Sequence, residues 1–245
     1  MAHHKPIRRL GIFDSGIGGL SILNAVKQID VQEIIYIADT ANLPYGDKSA
    51  AAIMAASFLV VEQLLTHQVD TIIIACHTAS AIALPFLQEQ FPAIRFIGMI
   101  EPTITATLHA TKTKTVGLLA TRATINHGAY QKELLHQKGF NLYSAACPEL
   151  VPLIEQQSPS AIIIQLLEHY VAPFKAVIDT LILGCTHYDL IRDTIQHIVP
   201  GIQLISAQDS ISSYINAPKT IGSPKKNIYA TGARPAGFDR FIAAL

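Results

Sequence analysis

The sequence predicts an α/β fold of two pseudo-symmetric lobes, each a mainly parallel sheet flanked by helices, with a cleft between them. Three observations support this prediction. Short β-branched runs alternate with longer helical patterns along the chain. The strand-like runs are apolar throughout, which is typical of parallel strands that helices cover on both faces. A pattern that ends in cysteine also occurs once in each half of the chain.

The elements follow from these runs in chain order. Strands are expected where short runs rich in valine, isoleucine and leucine end at small or polar residues: residues 9–13, 33–38, 71–76, 95–99, 115–119, 180–184 and 203–206. Helices are expected between them, where apolar residues recur with helical spacing: residues 19–28, 49–67, 79–90, 103–110, 126–137, 160–171 and 188–198. This alternation predicts that neighbouring strands run parallel.

A similar sequence pattern occurs in both halves of the chain. Residues 70–76 and 179–185 both read Asp-Thr, three aliphatic residues, a small residue and cysteine. A weaker similarity links residues 10–15 with 116–121, where the similar composition of buried strands is a serious alternative explanation. Two related lobes that face each other would bring both cysteine-ended strands to one cleft, since ligands of open α/β sheets bind at strand carboxyl ends.

The repeated pattern predicts a division of the chain into two lobes. The first is predicted to contain residues 1–100 plus about 212–245, and it carries Cys76. The second is predicted to contain about residues 101–211, and it carries Cys185.

Composition restricts the classes of function. The 245 residues are 50% hydrophobic, which suffices for a sizeable core. Basic and acidic residues number 18 each, so no basic excess indicates a nucleic-acid partner. The apolar runs are too short to span a bilayer, and the polar residues 1–5 do not resemble a signal peptide, so we expect no membrane partner. Three cysteines without such a signal favour the reducing cytoplasm.

Cys76 and Cys185 each lie between a predicted strand and a predicted helix. A thiol at a helix N-terminus lies near the positive end of the helix dipole, so we expect its pKa to fall below the free value of about 8.5. One such cysteine is usually a small buried hydrophobic residue, but two in matching positions indicate function. Cys147 precedes Pro148 in an irregular stretch and is interpreted as structural.

Two opposed thiols are compatible with several kinds of chemistry. A disulfide is disfavoured in a reducing compartment, and zinc binding by Cys185 and His187 would lack the spacing of a structural site. A nucleophile with a helper base stays open, as does a two-base proton transfer across one carbon. His187 lies close enough to Cys185 in sequence to act as a proton partner. No lysine lies in a pattern that suggests a Schiff base, so we expect neither a metal nor pyridoxal phosphate.

Other polar residues follow the predicted strands. Residues 14–19, Asp-Ser-Gly-Ile-Gly-Gly, form a glycine-rich turn that permits close backbone approach to a ligand. The turn matches neither a P-loop nor a dinucleotide fingerprint. Asp14 could orient or deprotonate a neighbouring group, or only cap a helix. The loop with Pro44, Tyr45 and Gly46 is a candidate binding loop.

These residues lie in segments that resemble the glutamate racemases of the aspartate/glutamate racemase superfamily. The segments follow the family's order over nearly the whole chain, and the set is specific although each piece alone is modest. They are residues 11–21 (GIFDSGIGGLS), 43–46 (LPYG), 75–81 (ACHTASA), 98–102 (GMIEP), 151–155 (VPLIE) and 182–188 (ILGCTHY).

The resemblance implies an isomerase that interconverts L- and D-glutamate without a cofactor and supplies D-glutamate for peptidoglycan, hence for cell-wall biogenesis and cell shape. Cys76 would face one side of the substrate Cα and Cys185 the other. Asp14 would assist the first thiol, and Glu155 and His187 the second. The positions that match substrate contacts are Asp14, Ser15, Pro44, Tyr45, Gly46, His77, Thr78, Thr121, Thr186 and His187.

The chain departs from the family pattern at two positions. The family has asparagine after the first cysteine, whereas this chain has His77, which is larger and can titrate near neutrality. If the imidazole faces the substrate, kcat/KM should depend on pH near a His77 pKa of about 6.5. If it turns away, only its backbone contacts the substrate. Asp189 replaces the family's usual proline and is expected to affect only the start of a helix.

Two alternatives to glutamate racemisation stay open. His77 permits another substrate, such as aspartate. A non-catalytic ligand-binding protein on the same scaffold is the other alternative, although it would not need two opposed proton carriers. The sequence does not set the oligomeric state, so a homodimer is possible as well as a monomer.

Overall fold

The structure, a computed structural model, describes residues 7–215, 224–235 and 238–243. Within these ranges the strands are β1 (Arg9–Asp14), β2 (Glu33–Ala38), β3 (Thr71–Ile74), β4 (Arg95–Gly98), β5 (Thr115–Ala120), β6 (Asn141–Ala146), β7 (Thr180–Gly184), β8 (Gln203–Ser206) and β9 (Lys225–Ala230). Every predicted strand is present. The sequence does not predict β6 and β9, because both are edge strands with partly exposed side chains and mixed polar sequences.

The helices of the described residues are α1 (Leu20–Val26), α2 (Ala50–Leu65), α3 (His77–Ile82), α4 (Leu84–Gln90), α5 (Ile100–Ala110), α6 (Arg122–His127), α7 (Ala129–Leu135), α8 (Leu150–Glu155), α9 (Ser160–Val171), α10 (Thr186–Asp189), α11 (Arg192–Ile198), α12 (Ala207–Ile215) and α13 (Phe238–Ala243). None of those helices has both the length and the apolar character that crossing a membrane requires. Helices α8, α12 and α13 are not predicted by the sequence.

Three predicted helices are interrupted in the structure. The predicted helix 79–90 is divided into α3 and α4, with Pro85 in the first turn of α4, where a proline is tolerated. The predicted helix 126–137 is interrupted at Gly128, whose φ of 74° lies in the left-handed region that ends helices. The predicted helix 188–198 is divided into α10 and α11.

The two sheets share one topology. The first has the order β4-β3-β1-β2-β9 and the second the order β6-β5-β7-β8, and all neighbouring strands are parallel. If β1 to β4 are matched with β5 to β8, both sheets read in the same order, with β9 added to the first. The predicted fold of two pseudo-symmetric α/β lobes is therefore confirmed. Cys76 and Cys185 follow the matched strands β3 and β7.

Helices cover both faces of each sheet, as the apolar strand runs predict. In β3, Ile73 packs in one hydrophobic cluster, whereas Ile72 and Ile74 pack in another on the opposite face. In β7, Leu181 packs in one cluster and Ile182 in another. Because side chains alternate between the faces of a strand, both faces of the central strands are buried.

The chain passes from the first lobe to the second at α5 and returns at α12. Met99 packs in the core of the first lobe, whereas Ile104 of α5 packs in the second. Ala207 and Ile211 of α12 pack again in the first-lobe core, before β9 joins the first sheet. The division of the chain at about residues 100 and 212 stays a prediction, and the packing of α12 favours a return slightly before 212.

Candidate active site

A pocket lies between the lobes at the carboxyl ends of the central strands. It is lined by Ser15, Pro44, Tyr45, Gly46, Asp47, Cys76, His77 and Thr78 from the first lobe and by Thr121, Pro148, Val151, Cys185, Thr186 and His187 from the second. The space open to a water-sized sphere inside it is about 20 Å³, room for about one water molecule. A larger molecule therefore does not fit this closed pocket unless its walls move.

The glycines after β1 allow the second lobe to approach the first. A Cβ atom at Gly18 would lie 2.6 Å from the backbone nitrogen of His187 and would also collide with the hydroxyl of Thr186. A Cβ atom at Gly16 would collide with the carboxylate of Glu155. The sequence predicts that these glycines allow a ligand to approach the backbone closely. In the structure they instead allow the close approach of the second lobe.

Cys76 follows β3 and immediately precedes α3. Its Sγ lies 3.7 Å from Oγ of Ser15. Burial raises the pKa of the thiol to about 12, and the nearby carboxylate of Asp14 adds to the increase. The backbone N–H groups of Ala79 and Thr78 act in the opposite direction without overcoming the effect of burial.

Cys185 occupies the matching position, after β7 and immediately before α10. Its Sγ lies 3.8 Å from Nδ1 of His187. Nε2 of the same imidazole lies 2.6 Å from Oε1 of Glu155, and this oxygen also accepts the backbone N–H of Ile17 at 3.0 Å. A series of contacts therefore connects the Cys185 thiol, through His187 and Glu155, with the first lobe. Burial raises the pKa of this thiol well above its usual value.

The lowered thiol pKa values that the sequence predicts are wrong for this closed pocket. Helices α3 and α10 are only 6 and 4 residues long, and they offer each thiol few backbone N–H groups. Removing a thiolate from water costs more free energy than these groups return. Both thiols are therefore protonated at neutral pH in this conformation.

Asp14 joins the two lobes at the end of β1. Its side chain is fully buried. Oδ2 accepts the backbone N–H of Gly16 at 2.9 Å, and Oδ1 accepts the hydroxyl of Thr186 from the second lobe at 3.1 Å. Burial raises the pKa of this carboxyl above 3.8, and the charge of His187 acts in the opposite direction. Asp14 affects the pKa of Cys76 through the electrostatic effect of its charge.

Three threonine hydroxyls form a cluster across the lobe boundary. Oγ1 of Thr78 lies 2.8 Å from Oγ1 of Thr121 and 3.2 Å from Oγ1 of Thr124. The two second-lobe hydroxyls are 2.9 Å apart. Each hydroxyl can donate one hydrogen bond and accept others, so the cluster can turn donors or acceptors toward a polar ligand.

His77 is buried, and its ring contacts the second lobe. Nδ1 lies 2.7 Å from the hydroxyl of Tyr130, and the two rings stack with centroids 6.1 Å apart. Burial lowers the pKa of His77 to about 3. The expected pH dependence near 6.5 is therefore wrong for this state, because the imidazole stays neutral through the physiological range.

Most of the residues predicted for the site line this pocket. Asp14 and Glu155 lie behind its wall and contact the residues that line it. Sequence reasoning missed Asp47, which follows the Pro-Tyr-Gly segment. Its Oδ1 accepts a hydrogen bond from Nη1 of Arg122, on the second lobe, at 2.8 Å. Sequence reasoning also missed Tyr130, which only the packing of the two lobes brings to His77.

One further cysteine lies outside the pocket wall. Cys147 is buried in the second-lobe core, and its Sγ lies 3.5 Å from the carbonyl oxygen of Ala145. Within residues 7–215, 224–235 and 238–243, no three His, Cys, Asp or Glu side chains are grouped as metal ligands would be.

The fold and the site define a class of protein: a two-lobed α/β enzyme with two thiols, each beside a polar partner, in one closed pocket. The sequence profile of a family described as Asp/Glu/Hydantoin racemase matches residues 21–211, and the chain belongs to this family. It is therefore an isomerase.

Relatives and solved structures agree with this assignment. The chain is 42% identical to the glutamate racemase of Hydrogenobaculum sp. (strain Y04AAS1), with 91% of this chain and 87% of that relative covered. The crystal structure of glutamate racemase from Campylobacter jejuni has a TM-score of 0.88 at 31% identity, covering 96% of each chain. That from Francisella tularensis, in complex with D-glutamate, has a TM-score of 0.82 at 34% identity, covering 96% of this chain and 91% of that one.

Proposed function

We propose that the protein interconverts L- and D-glutamate without a cofactor, by proton transfer between Cα and two cysteines. The observation that carries this proposal is the pairing of Cys76 and Cys185, which follow matched strands of opposite lobes and line one pocket. The relatives named as glutamate racemases, one of them holding D-glutamate, support glutamate as the substrate. The product D-glutamate would serve peptidoglycan synthesis, and so cell-wall biogenesis and cell shape, in the cytoplasm.

The chemistry requires one thiolate and one thiol at a time. The thiolate takes the proton from one face of Cα, and the electrons of the C–H bond stay on the carbon. The opposite thiol then gives its proton to the other face, so the centre is inverted and the thiol becomes a thiolate. Thiols carried by opposite lobes suit this reaction, because each can reach a different face of a substrate held between them.

The environment of Cys185 supports a proton relay. His187 lies between the thiol and Glu155, so its imidazole can pass a proton at Nδ1 while Nε2 stays oriented by the carboxylate. This arrangement of a nucleophilic or basic group, an imidazole and an orienting carboxylate is a common way to move protons.

The environment of Cys76 is different. The polar side chain that contacts its Sγ is the hydroxyl of Ser15, and Asp14 acts on the thiol through its charge. We propose that Asp14 assists Cys76 chiefly by its charge and by fixing Thr186. The two thiols are thus served by different groups, although their strands match.

Substrate binding has to favour the thiolate form of a cysteine, because the closed pocket does not. Both thiols have raised pKa values there, whereas the reaction needs a thiolate. An amino acid brings an ammonium group into the pocket, and a positive charge nearby favours the ionised form of a thiol. We therefore propose that the reactive thiolate forms together with substrate binding, when the Cys185 thiol passes its proton to Nδ1 of His187.

A substrate screen tests the proposed function. Circular dichroism follows the loss of the dichroic signal of each L- and D-amino acid with the purified protein, and the same incubation in D₂O reports exchange of the Cα proton. Racemisation and exchange of glutamate, well above that of aspartate, are expected. Faster racemisation of aspartate would replace the proposed substrate, and a protein that exchanges no amino acid would refute the proposal.

A further inference from the structure

His77 and Tyr130 form a pair that joins the two lobes beside the pocket. His77 is the first residue of α3 and lines the pocket, whereas Tyr130 belongs to α7 on the second lobe. Nδ1 of the imidazole lies 2.7 Å from the phenol oxygen, and both side chains are buried, with relative exposures of 2% and 0%. The contact therefore depends on the lobes being closed.

The imidazole of this pair is neutral. Burial lowers the pKa of His77 to about 3, so the ring carries one proton rather than two at neutral pH. A neutral imidazole has one nitrogen that donates and one that accepts, and its neighbours decide which is which. The ring can therefore offer the pocket either an N–H donor or a bare nitrogen.

The hydroxyl of Tyr130 influences which imidazole nitrogen carries the proton. Its proton needs an acceptor, because a buried hydroxyl without one is costly. The other polar side chain near it is Thr103, whose hydroxyl donates its own proton to the carbonyl of Met99 at 2.7 Å. Nδ1 lies 2.7 Å from the phenol oxygen and is a stronger base than a threonine hydroxyl, which favours donation from the phenol to Nδ1 and a ring proton on Nε2.

We propose that Tyr130 is a positioning residue that holds His77 in its Nε2–H form, so that His77 offers a neutral N–H donor to a carboxylate of the amino-acid substrate. This inference rests on the proposed amino-acid racemisation. The asparagine that the family pattern has at this position also offers a neutral N–H donor. The His77–Tyr130 pair would thus replace the donor of an amide with that of an oriented imidazole.

The first test observes the tautomer and requires no activity. Nitrogen NMR of protein containing ¹⁵N-labelled histidine distinguishes a protonated from an unprotonated ring nitrogen, and His77→Asn identifies the His77 signals among the 10 histidines. The unaltered protein should show the proton on Nε2, and Tyr130→Phe should give a mixture of tautomers. A proton on Nδ1 in the unaltered protein, or an unchanged ring in Tyr130→Phe, would overturn the proposal.

The second test asks whether Tyr130 acts through His77. Tyr130→Phe should raise KM for glutamate by about tenfold with a smaller effect on kcat, because the donor to the substrate is no longer fixed. In the His77→Asn background the same change should alter KM by less than about twofold, since an amide does not need the phenol. Equal effects in both backgrounds would show that Tyr130 acts on folding or packing alone, and would refute the proposal.

A matched control removes a phenol from the same lobe outside the pocket. Tyr170 contacts the carboxylate of Glu149 on the exposed side of the second lobe, so Tyr170→Phe should leave the His77 tautomer and KM unchanged. A protein that racemises no amino acid would count against the proposed function, whereas the NMR spectra judge the His77–Tyr130 pair independently.

Discussion

Oε1 of Glu155 lies 2.6 Å from Nε2 of His187 and accepts the backbone N–H of Ile17 on the opposite lobe at 3.0 Å. One carboxylate oxygen therefore orients the imidazole beside Cys185 and holds the lobes together. The same atom thus connects the orientation of the imidazole with the contact between the lobes. The other oxygen, Oε2, is buried and has no hydrogen-bond partner among the described residues.

Glu155→Gln tests this double role. Glutamine keeps the size of the side chain and an acceptor oxygen, so the contact with Ile17 can persist, but the negative charge beside His187 is lost. A positioned acid–base partner contributes about 10² to 10⁴-fold to a rate, and we expect kcat to fall by roughly 100-fold. The two enantiomers have equal free energy, so kcat/KM must fall by the same factor in both directions.

Glu149→Gln is the matched control, because Glu149 precedes the same helix and contacts Tyr170 away from the pocket. Its kinetics should match those of the unaltered protein. Racemisation by Glu155→Gln at the rate of this control would exclude a role for the carboxylate in proton transfer.

Gly18→Ala tests the close contact of the lobes. The added methyl group would lie 2.6 Å from the backbone nitrogen of His187, so the lobes could no longer close fully. We expect kcat to fall by at least about tenfold while thermal unfolding shows an intact fold, since displacement of reacting groups by about 1 Å can cost 10²-fold.

Gly201→Ala is the contrasting change. Gly201 has a φ of 79° with nothing near its Cβ position, so alanine there costs about 1–2 kcal/mol of stability through backbone strain. Activity at a temperature well below unfolding should be unaffected. If Gly18→Ala retained full activity, the tight approach of the lobes would be irrelevant to turnover.

Asp189 is a buried acid that the proposed mechanism does not use. It ends α10 instead of starting a helix as the sequence predicts. Oδ1 lies 3.6 Å from Nη1 of Arg192, which pairs more closely with Asp209 at 2.8 Å. Burial raises the pKa of Asp189 to about 7, and the negative charge of Asp209 contributes to the increase.

This raised pKa makes the protein less stable as pH rises. The unfolded chain releases the proton near the ordinary pKa of 3.8, whereas the folded protein keeps it until about pH 7. Stability therefore declines between pH 4 and 7, by up to about 4 kcal/mol if the whole difference is expressed. Asp189→Asn should flatten this decline and raise the Tm at pH 8.

Asp193→Asn, at an exposed position on α11, should leave the slope unchanged. Thermal unfolding of both variants from pH 4 to 8 measures the difference. Parallel curves for Asp189→Asn and the unaltered protein would show that the buried carboxyl does not titrate in this range.

Independence from metal and pyridoxal phosphate is a further expectation. Cys185 and His187 lack further ligands at zinc spacing, and no lysine is among the described residues that line the pocket. Dialysis against EDTA, and treatment with hydroxylamine to remove any pyridoxal phosphate, should leave the rate unchanged. Activity lost to EDTA and restored by zinc would refute this expectation.

Local sequence patterns predict the central strands and the positions of both thiols. The apolar runs that precede Cys76 and Cys185 are short and bounded, so they identify strands that helices cover on both faces. Edge strands such as β6 lack this signal, because one side is exposed and their composition is mixed. The breaks at Gly128 and Pro85 have sequence signals in hindsight, since glycine and proline commonly interrupt helices.

Contacts between the lobes could not be predicted in the same way. The pairing of His77 with Tyr130, or of Asp14 with Thr186, depends on how the two sheets face each other. The pKa values of the thiols depend on burial, which outweighs the helix dipoles that the sequence indicates. Sequence reasoning therefore locates the reactive groups but misjudges their charge.

The central claim is that Cys76 and Cys185 act on opposite faces of one carbon, and incubation of each single variant with L- and D-glutamate in D₂O tests it most directly. Cys76→Ala and Cys185→Ala should both fail to invert glutamate, and any residual Cα exchange should affect opposite enantiomers in the two variants. Cys147→Ala, which removes a buried thiol outside the pocket wall, should racemise as the unaltered protein does. Inversion that survives the loss of either Cys76 or Cys185 would contradict the two-thiol mechanism.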